Sequence, residues 1–343
     1  MKENKEFLRG IIRIPSADGD ERQAAEFFTK HCTSFPGVEA VEIDHFNNAV
    51  VKKGHGDIKM MISGHIDEIG FQVQYISKNG FVNIAKVGGI DLKVLQGAQV
   101  ECNGLTGIIA KRPIHVETQK ERESVPKIEE ILVDFGFKDD EEARQHLAVG
   151  DMITFKKGLE CLDFGPSGEY IVAPALDDKL GVYVVSEVMR RVNVPEGITL
   201  YGVATTQEEV GLRGAKALAM RLNPNISIDI DVCPSTEQEL NIDPKKYGEV
   251  ALGKGVVIPF GPDKSRAICK TMCDICQKED ISYQRHVAVA GGTNTSAIQT
   301  SCDDCETMLL SLPNQNMHTQ IEKCNWIDTE ACINLMVKFI EQL

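Results

Sequence analysis

Apolar and amphipathic stretches alternate along most of the chain, and this alternation predicts an α/β fold with a mixed sheet in three layers. The segments Ile198–Ala204, Ile226–Val232 and Met308–Ser311 are short, continuous apolar runs, as expected for strands that are buried on both faces. Between them, apolar positions recur at intervals of three and four residues, which predicts helices such as Lys179–Arg191 and Thr329–Leu343.

The pattern changes between residues 73 and 171, where short strand-like pieces such as Gly107–Ala110 are separated by glycines. A charged segment, Val125–Leu132, is a candidate helix within this region. Short strands with frequent turn residues are typical of a small β-rich domain. We therefore predict a core domain formed by residues 1–72 and 172–343, with a β-rich domain inserted at 73–171.

The composition narrows the range of partners. The 343 residues include 37 Lys and Arg against 51 Asp and Glu, which gives a formal charge of −14. Binding to a nucleic acid backbone requires a basic face, so we expect no nucleic acid partner. The N-terminal segment Met1–Glu6 is charged, and no apolar run reaches the roughly 20 residues that span a bilayer. We therefore expect no membrane contact and a cytoplasmic location.

The 11 cysteines are an odd number in a chain for which we expect no secretory signal, and this favours reduced thiols. Two pairs, Cys273/Cys276 and Cys302/Cys305, have the CxxC spacing of a zinc ribbon, but their separation is longer than usual. Cys269, Cys273 and Cys276 also share one face of a predicted amphipathic helix, where cysteine packs as a small apolar residue. Core packing is therefore the favoured interpretation, and a structural zinc site is the alternative.

Carboxylates occur at or near the ends of four apolar runs. Ligands of open α/β sheets bind beyond the carboxyl ends of the strands, so these four ends suggest one convergent site. The segments are Ser63–Phe71 with His65 and Asp67, Ala175–Gly181 with Asp177, Thr205–Gly211 with Glu208 and Glu209, and Ile228–Val232 with Asp231.

Glu208 and Glu209 are adjacent carboxylates at the end of a predicted strand, where burial is costly unless they bind something. Neighbouring side chains of a strand point to opposite faces, so we expect one of them to bind a metal and the other to handle a proton. His318 follows the last predicted strand in a polar loop. Considered alone, such a histidine is usually a solvated surface residue.

Taken together, these motifs resemble the M42 family of co-catalytic metallo-aminopeptidases, which includes glutamyl and deblocking aminopeptidases and large tetrahedral assemblies. The similarity runs over nearly the whole chain. It is carried by Ser63–Phe71, Ala175–Gly181, Thr206–Gly214, Asp231 with Val232, Gly291-Gly292-Thr293 and His318, and in the insert by Val87–Asp91, Pro113-Ile114-His115, Val133–Phe137 and Gly150-Asp151.

The resemblance implies two divalent metal ions per chain. His65, Asp177 and Asp231 would bind one ion. Asp177, Glu209 and His318 would bind the other, so that Asp177 bridges the two. Nitrogen and oxygen donors without a thiolate suit Zn²⁺, with Co²⁺ or Mn²⁺ as alternatives.

The resemblance also implies how the reaction proceeds. Glu208 would be the general base, taking a proton from a metal-bridging water and passing it to the leaving amine. Asp67 would accept the second ring N–H of His65 and fix its tautomer. The expected activity is the removal of N-terminal residues from peptide substrates. The insert is expected to act as a dimerisation domain, which would make the protein a homo-oligomer.

Three positions depart from the pattern that is usual in the family. Gln315 and Asn316 lie where an arginine-tyrosine pair usually precedes the final histidine. Asn294 lies where the Gly-Gly-Thr-Asp turn has aspartate. None of the three is an expected metal ligand, so we expect these differences to affect the substrate pocket.

Other enzyme classes fit the residues less well. A glycosidase needs two carboxylates about 5–9.5 Å apart on either side of the bond, whereas Glu208 and Glu209 are adjacent. A serine hydrolase of the α/β type needs a Gly-x-Ser-x-Gly elbow, which the sequence lacks. A related di-metal deacylase or carboxypeptidase, and a weakly active metal-binding assembly protein, stay open as alternatives.

Overall fold

Three sheets organise the computed structural model of the chain, which describes residues 5–17, 19–237, 242–288 and 292–343. Within these residues the strands are β1 (Val38–Ile43), β2 (Ala49–Lys53), β3 (Ile58–His65), β4 (Gly70–Ile76), β5 (Val82–Val87), β6 (Gln99–Cys102), β7 (Leu105–Ile109), β8 (Leu132–Asp134), β9 (Met152–Phe155), β10 (Cys161–Phe164), β11 (Tyr170–Ala173), β12 (Ile198–Thr205), β13 (Ile226–Pro234), β14 (Val256–Phe260), β15 (Tyr283–Val287), β16 (Glu306–Asn314) and β17 (Glu322–Asn325).

The α-helices of the same residues vary from a single turn to four turns. They are α1 (Lys5–Arg13), α2 (Arg22–Cys32), α3 (Gln119–Glu123), α4 (Asp140–Ala143), α5 (Leu176–Arg191), α6 (Arg213–Leu222), α7 (Pro244–Tyr247), α8 (Arg266–Lys278), α9 (Asn294–Gln299) and α10 (Trp326–Ile340). Within the described ranges, no helix combines the length and the apolar character needed to cross a bilayer.

The central sheet has eight strands in the order β1-β2-β12-β3-β13-β16-β14-β15. β3 lies between β12 and β13 and is parallel to both, and β13 is parallel to β16. The pairs β1–β2, β2–β12 and β14–β16 are antiparallel, so the sheet is mixed. The predicted α/β fold class with a mixed sheet is confirmed.

The two faces of this sheet bury different side chains, as the alternation along β3 shows. Met60 and Ile62 belong to a large apolar cluster that also contains residues of α1, α2, α5, α8 and α10. Met61 lies on the opposite face, in a smaller cluster with Ala215 and Leu218 of α6. Helices therefore cover both faces and make three layers, which explains why the strands are continuous apolar runs.

Strands β4 to β9 close into a barrel with the order β4-β5-β8-β7-β6-β9. Its interior holds a separate apolar cluster, which includes Phe71, Val100, Val133 and Phe155. The barrel therefore has a core of its own, distinct from the core of the main sheet. Its strands run from residue 70 to residue 155.

The barrel is shorter than the insert that the sequence predicts at 73–171. β10 and β11 pair with β17 in a three-stranded sheet, so residues 161–173 join the C-terminal part of the chain. Short strands flanked by glycines look alike in sequence whichever sheet they join. The sequence pattern therefore does not identify their pairing partner.

The helix predicted at Val125–Leu132 is wrong. The chain forms a single 3₁₀ turn at Ile128–Glu130 and then enters β8. Val133 is fully buried in the barrel, and this packing outweighs the helical propensity of the charged residues before it. Pro126 also disfavours helical geometry at the residue that precedes it.

The cysteines of α8 pack as predicted. Cys269, Cys273 and Cys276 are at most 7 % exposed and belong to the large apolar cluster. Cys302 and Cys305, the second CxxC pair, pack against the smaller cluster on the other face of the sheet. Packing therefore accounts for the positions of both pairs.

Candidate metal centre

The adjacent parallel strands β3 and β13 bring a histidine next to two aspartates. His65 is the last residue of β3, and Asp231 lies on β13. The Nε2 atom of His65 is 3.0 Å from Oδ1 of Asp177 and 3.9 Å from Oδ1 of Asp231. All three side chains are buried, so this is a polar group enclosed at the end of the sheet.

Asp177 lies between two histidines. It belongs to the first turn of α5, where its backbone departs from helical geometry with φ −77° and ψ 103°, and its peptide bond to Asp178 is cis. Its Oδ1 atom faces His65, whereas its Oδ2 atom is 3.2 Å from Nε2 of His318. The same Nε2 atom is 3.3 Å from Oε1 of Glu209. A single carboxylate therefore contacts both histidines.

These contacts define two groups of potential metal ligands that share Asp177. In each group the ligand atoms lie within 4.8 Å of one another. The groups are His65, Asp177 and Asp231, and Asp177, Glu209 and His318, which are the two sets that the family resemblance implies. Their imidazole and carboxylate donors fit Zn²⁺, Co²⁺ or Mn²⁺.

The electrostatics of the site also favour cation binding. Burial raises the pKa of Glu208 to about 8. Burial, followed by repulsion from neighbouring carboxylates, raises the pKa of Asp231 well above its ordinary value and also raises that of Glu209. Hydrogen bonds to Asp177 and Glu209 raise the pKa of His318 to about 11. A divalent cation would relieve this crowding, because it favours the charged form of each carboxylate.

Both ligand groups open into a cavity of about 650 Å³, which we call the active-site cavity. Glu208 lines it beside His65 and Glu209. Within the described residues, no side-chain hydrogen bond engages the carboxylate of Glu208. This carboxylate is therefore free to act on a molecule in the cavity.

The loop that carries Glu208 and Glu209 differs from the prediction. Both residues follow the end of β12, and Gln207 has a left-handed φ of 55°, so the alternation of a strand does not separate them. The loop itself separates them: Glu209 faces His318, whereas Glu208 lines the open cavity. The backbone N–H of Glu209 donates to Oδ2 of Asp67 at 3.1 Å and holds the loop in place.

Asp67 connects His65 to this loop. The Nδ1 atom of His65 is 3.2 Å from the backbone oxygen of Asp67 and 3.5 Å from its Oδ1 atom. The backbone oxygen is thus the nearer acceptor for the ring. Oδ1 of Asp67 is buried and has no hydrogen-bond partner within the described part of the chain.

Two buried acidic residues that the sequence did not single out hold the ligand-bearing segments. Glu322 accepts the backbone N–H of Asp177 at 2.8 Å on one carboxylate oxygen and that of His318 at 3.1 Å on the other. Asp178 accepts the backbone N–H of His65 at 3.1 Å. Asp178 follows Asp177 directly, which was an available signal. Glu322 lies in β17, a strand that the apolar pattern did not reveal.

Two of the positions that depart from the family pattern, Asn294 and Gln315, make hydrogen bonds outside the ligand groups. Asn294 is buried behind the site, where its Nδ2 atom donates to Oγ1 of Thr205 at 3.0 Å. Gln315 donates to Glu237 and accepts a hydrogen bond from Lys323. These differences therefore leave both groups of potential ligands in place.

Comparison with known proteins identifies the family. The sequence pattern described as M42 glutamyl aminopeptidase matches residues 47–335, which is most of the chain. The chain therefore belongs to the M42 glutamyl aminopeptidase family and is a peptidase, as the motifs in the sequence predicted.

Relatives match over nearly the full length. A lysyl aminopeptidase of Pyrococcus furiosus is 26 % identical over 347 residues, covering 98 % of this chain and 97 % of that protein. The TET aminopeptidase from the marine sediment archaeon Thaumarchaeota archaeon SCGC AB-539-E09 superimposes with a TM-score of 0.91 at 26 % identity, covering 100 % of this chain and 97 % of the other. The TET1 peptidase of Pyrococcus horikoshii gives a TM-score of 0.86 at 28 % identity, with 99 % and 100 % covered, and is described as assembling into a tetrahedron or a large octahedral shell.

Proposed function

We propose that the protein is a co-catalytic di-metal aminopeptidase that removes N-terminal residues from peptides. The observation that carries this proposal is the position of Asp177, whose two carboxylate oxygens contact two different histidines at 3.0 and 3.2 Å. A carboxylate shared in this way suits a pair of divalent ions, which need a bridging anion between them.

The residues of the two ligand groups would hold the ions. His65 and Asp231 would bind the first, Glu209 and His318 the second, and Asp177 both. When bound, two such ions polarise a substrate carbonyl and lower the pKa of water to about 7. Zn²⁺ is the ion that the donors suit best, with Co²⁺ or Mn²⁺ as alternatives.

Glu208 is the general base in this proposal. Its carboxylate lines the cavity next to the ligand groups and has no competing side-chain hydrogen bond within the described residues. Burial raises its pKa to about 8, and nearby cations would lower that pKa and favour the ionised form, which accepts a proton. Glu208 would take the proton from water and return it to the leaving amine.

Asp67 is a positioning residue in this proposal. Its backbone oxygen accepts from the ring of His65, and its carboxylate accepts the N–H of Glu209. It therefore fixes one ligand from each group relative to the other. Partners of this kind orient metal-binding histidines and fix the tautomer that binds.

The free α-amine of the substrate would distinguish terminal from internal bonds. The cavity is strongly polar where the ligand groups and Glu208 line it. A blocked N-terminus would leave these buried polar groups without partners, which is costly. Membership of the M42 glutamyl aminopeptidase family does not determine which N-terminal residue of a substrate this enzyme prefers, since a lysyl aminopeptidase is among its relatives.

We propose that the chain forms homo-oligomers through the inserted β-rich domain. The insert has its own barrel core, and the two groups of potential metal ligands found among the described residues lie outside it. The P. horikoshii relative, which matches along its whole length, is described as assembling into a tetrahedron or a large octahedral shell. Light scattering at micromolar concentration should show an oligomer, and a monomer would contradict this part of the proposal.

The direct test of the activity uses chelated protein that is reloaded with Zn²⁺, Co²⁺ or Mn²⁺ and incubated with an unblocked peptide and its N-acetylated counterpart. Mass spectrometry should show a ladder of N-terminal losses from the unblocked peptide and much slower cleavage of the acetylated one. C-terminal losses would identify a carboxypeptidase, and release of the acetyl group alone would identify a deacylase.

A further inference from the structure

A cleft with basic walls continues from the active-site cavity along the outer part of the central sheet. This cleft, which we call the basic cleft, has a volume of about 530 Å³ and is lined by Lys264, Arg266, Arg285 and His286. Lys264 and His286 also line the active-site cavity, so the two spaces adjoin. β15, which carries Arg285 and His286, is the last strand in the sheet order, and the cleft therefore lies at an edge of the central sheet.

The charge of the basic cleft is opposite to that of the protein as a whole. The chain has a formal charge of −14, yet among the described residues no carboxylate lines this cleft. Lys264 is paired with Asp263 at 2.6 Å, so its charge is largely compensated. Arg266 and Arg285 are exposed and have no ion-pair partner within the described ranges. Two uncompensated guanidinium groups in a concave surface favour an anionic ligand.

The structure also orients the two arginines. The guanidinium of Arg285 lies 4.6 Å from the centre of the Phe260 ring, a stacking contact that limits its freedom. Arg266 is the first residue of α8, a 13-residue helix whose N-terminal end adds a positive partial charge to the same region. These two features distinguish Arg285 and Arg266 from freely solvated arginine side chains.

The distance between the metal centre and the basic cleft indicates which part of a peptide would reach it. Three strand-to-strand steps separate β13, which carries Asp231, from β15 in the sheet order. At about 4.8 Å per step the two strands are roughly 14 Å apart, so a peptide needs at least about four extended residues to span them. The carboxylate that reaches Arg285 would therefore belong to a residue well downstream of the N-terminus.

We infer that the basic cleft binds a carboxylate on the downstream part of a peptide substrate and that the enzyme prefers peptides with acidic residues near positions four and five. This inference rests on the proposed aminopeptidase function. It assigns Arg266 and Arg285 to substrate binding at a distance from the reacting bond. Such contacts contribute affinity that is sensitive to ionic strength.

The test compares peptides that share their first three residues and an amidated C-terminus but end in Glu-Glu or in Gln-Gln. Wild-type enzyme should show a kcat/KM for the acidic peptide about tenfold above that for the neutral one, as two exposed ion pairs allow. The R266Q/R285Q variant should bring this ratio close to one, as should added salt. The variant K30Q/K78Q, which removes two exposed charges elsewhere, should keep the wild-type ratio.

Further arms separate the sources of the carboxylate and the role of charge. R285K keeps the charge and should retain most of the preference, which distinguishes charge from packing on Phe260. A preference that follows Glu over Gln at the first residue, or a free over an amidated C-terminus, would overturn the downstream assignment. A change of oligomeric state in R266Q/R285Q with an unchanged peptide ratio would also overturn it, since the cleft would then contact a second copy.

Binding measured without turnover separates this inference from the proposed function. Fluorescence anisotropy of a labelled acidic peptide should show weaker binding to R266Q/R285Q than to wild type. If acidic and neutral peptides are cleaved equally, the inference is wrong and the proposed function stands. If no peptide is cleaved but the acidic peptide binds through the arginines, the proposed function is wrong and the basic cleft stands.

Discussion

Two groups of buried charged residues lie close together in this protein, and their carboxylates are compensated in different ways. Glu68, three residues after His65, is 1 % exposed and ion-paired with Lys157 and with Lys179, whose Nζ is 3.0 Å from Oε1. Its Oε1 also accepts the backbone N–H of Ser16 at 3.0 Å. At the metal centre, by contrast, no lysine or arginine of the described residues pairs with the buried carboxylates.

The pKa shifts follow this difference. Although burial opposes it, the two lysines hold the pKa of Glu68 below its ordinary value. Burial raises the pKa of Glu208 to about 8, and burial with carboxylate repulsion raises that of Asp231. Where a buried carboxylate only stabilises the fold, as Glu68 does, lysines of the chain itself pair with it. At the candidate metal centre the described residues supply no lysine or arginine, and the histidines whose hydrogen bonds lower the pKa of Asp177 are themselves potential metal ligands.

The largest expected effect distinguishes the two adjacent glutamates of the metal centre. Glu208→Gln keeps the shape of the side chain but cannot accept a proton, so kcat should fall about 10²–10⁴-fold while the metal content holds. Glu209→Gln should instead lose metal, because Glu209 contacts His318 within a ligand group. Elemental analysis alongside steady-state kinetics measures both, and equal metal loss in the two variants would show that the roles are misassigned.

Breaking an ion pair between Glu68 and its lysines should lower the stability of the fold. Lys157→Met leaves Glu68 buried with one lysine, which should lower the free energy of unfolding by about 3 kcal/mol, as for other broken buried pairs. The pKa of Glu68 is lower in the folded than in the unfolded protein. The ion pairs therefore contribute fully to the free energy of unfolding above the unfolded pKa of about 4.3, and this contribution is lost as the pH falls through the lower pKa of the folded state.

Urea unfolding at pH 7 and at lower pH checks this prediction. Lys156→Met is the matched control, since among the described residues the side chain of this neighbouring lysine bonds only to Thr106 and is not part of the buried group. The metal content of Lys157→Met should match that of the wild type. A difference from wild type that widens as the pH falls below about 4 would contradict the assignment.

A smaller effect is expected at Glu322, which belongs to the metal side but binds no metal. Glu322→Gln has nearly the same shape, but in either orientation its NH₂ group faces a backbone N–H of Asp177 or His318. Metal affinity should fall about 10–100-fold, as for other groups that position ligands. Competition with a chelator measures this, with the exposed Glu129→Gln as control. Unchanged affinity with lower stability would make Glu322 purely structural.

The smallest expected effect is the change in stability caused by Asp231→Asn, which should have opposite signs in the metal-free and the metal-loaded protein. Asp231→Asn removes one uncompensated carboxylate but keeps an oxygen that can accept the N–H of Val232, now at 2.7 Å. The metal-free variant should be more stable than metal-free wild type by about 0.5–2 kcal/mol, the usual size of a stabilising substitution. With Zn²⁺ present the order should reverse, because the variant lacks a ligand. Thermal unfolding in both states decides this, and a metal-free variant less stable than wild type would refute it.

The sequence predicted the parts of this arrangement that local patterns encode. The buried parallel strands are apolar runs, and the motifs around His65 and Asp231 lie at or near their ends, so the convergence of these two follows from the sheet topology. Asp177 instead reaches the site from the first turn of α5, after β11 of the three-stranded sheet. The sequence did not reveal β17 or the role of Glu322, because these depend on which distant segments pair. It also applied the alternation of a strand to Glu208 and Glu209 at the end of a predicted strand, whereas the left-handed Gln207 puts them in a loop.

The central claim is that the buried carboxylates and histidines of the two ligand groups bind two cations. Calorimetric titration of chelated protein with Zn²⁺ tests this claim most directly. Wild type should bind two ions per chain, with peptidase activity appearing as they bind, and it should gain thermal stability. Asp177→Ala, which removes the shared carboxylate, should bind neither ion tightly. Two ions still bound tightly by Asp177→Ala, or full peptidase activity in chelated wild type, would contradict the account.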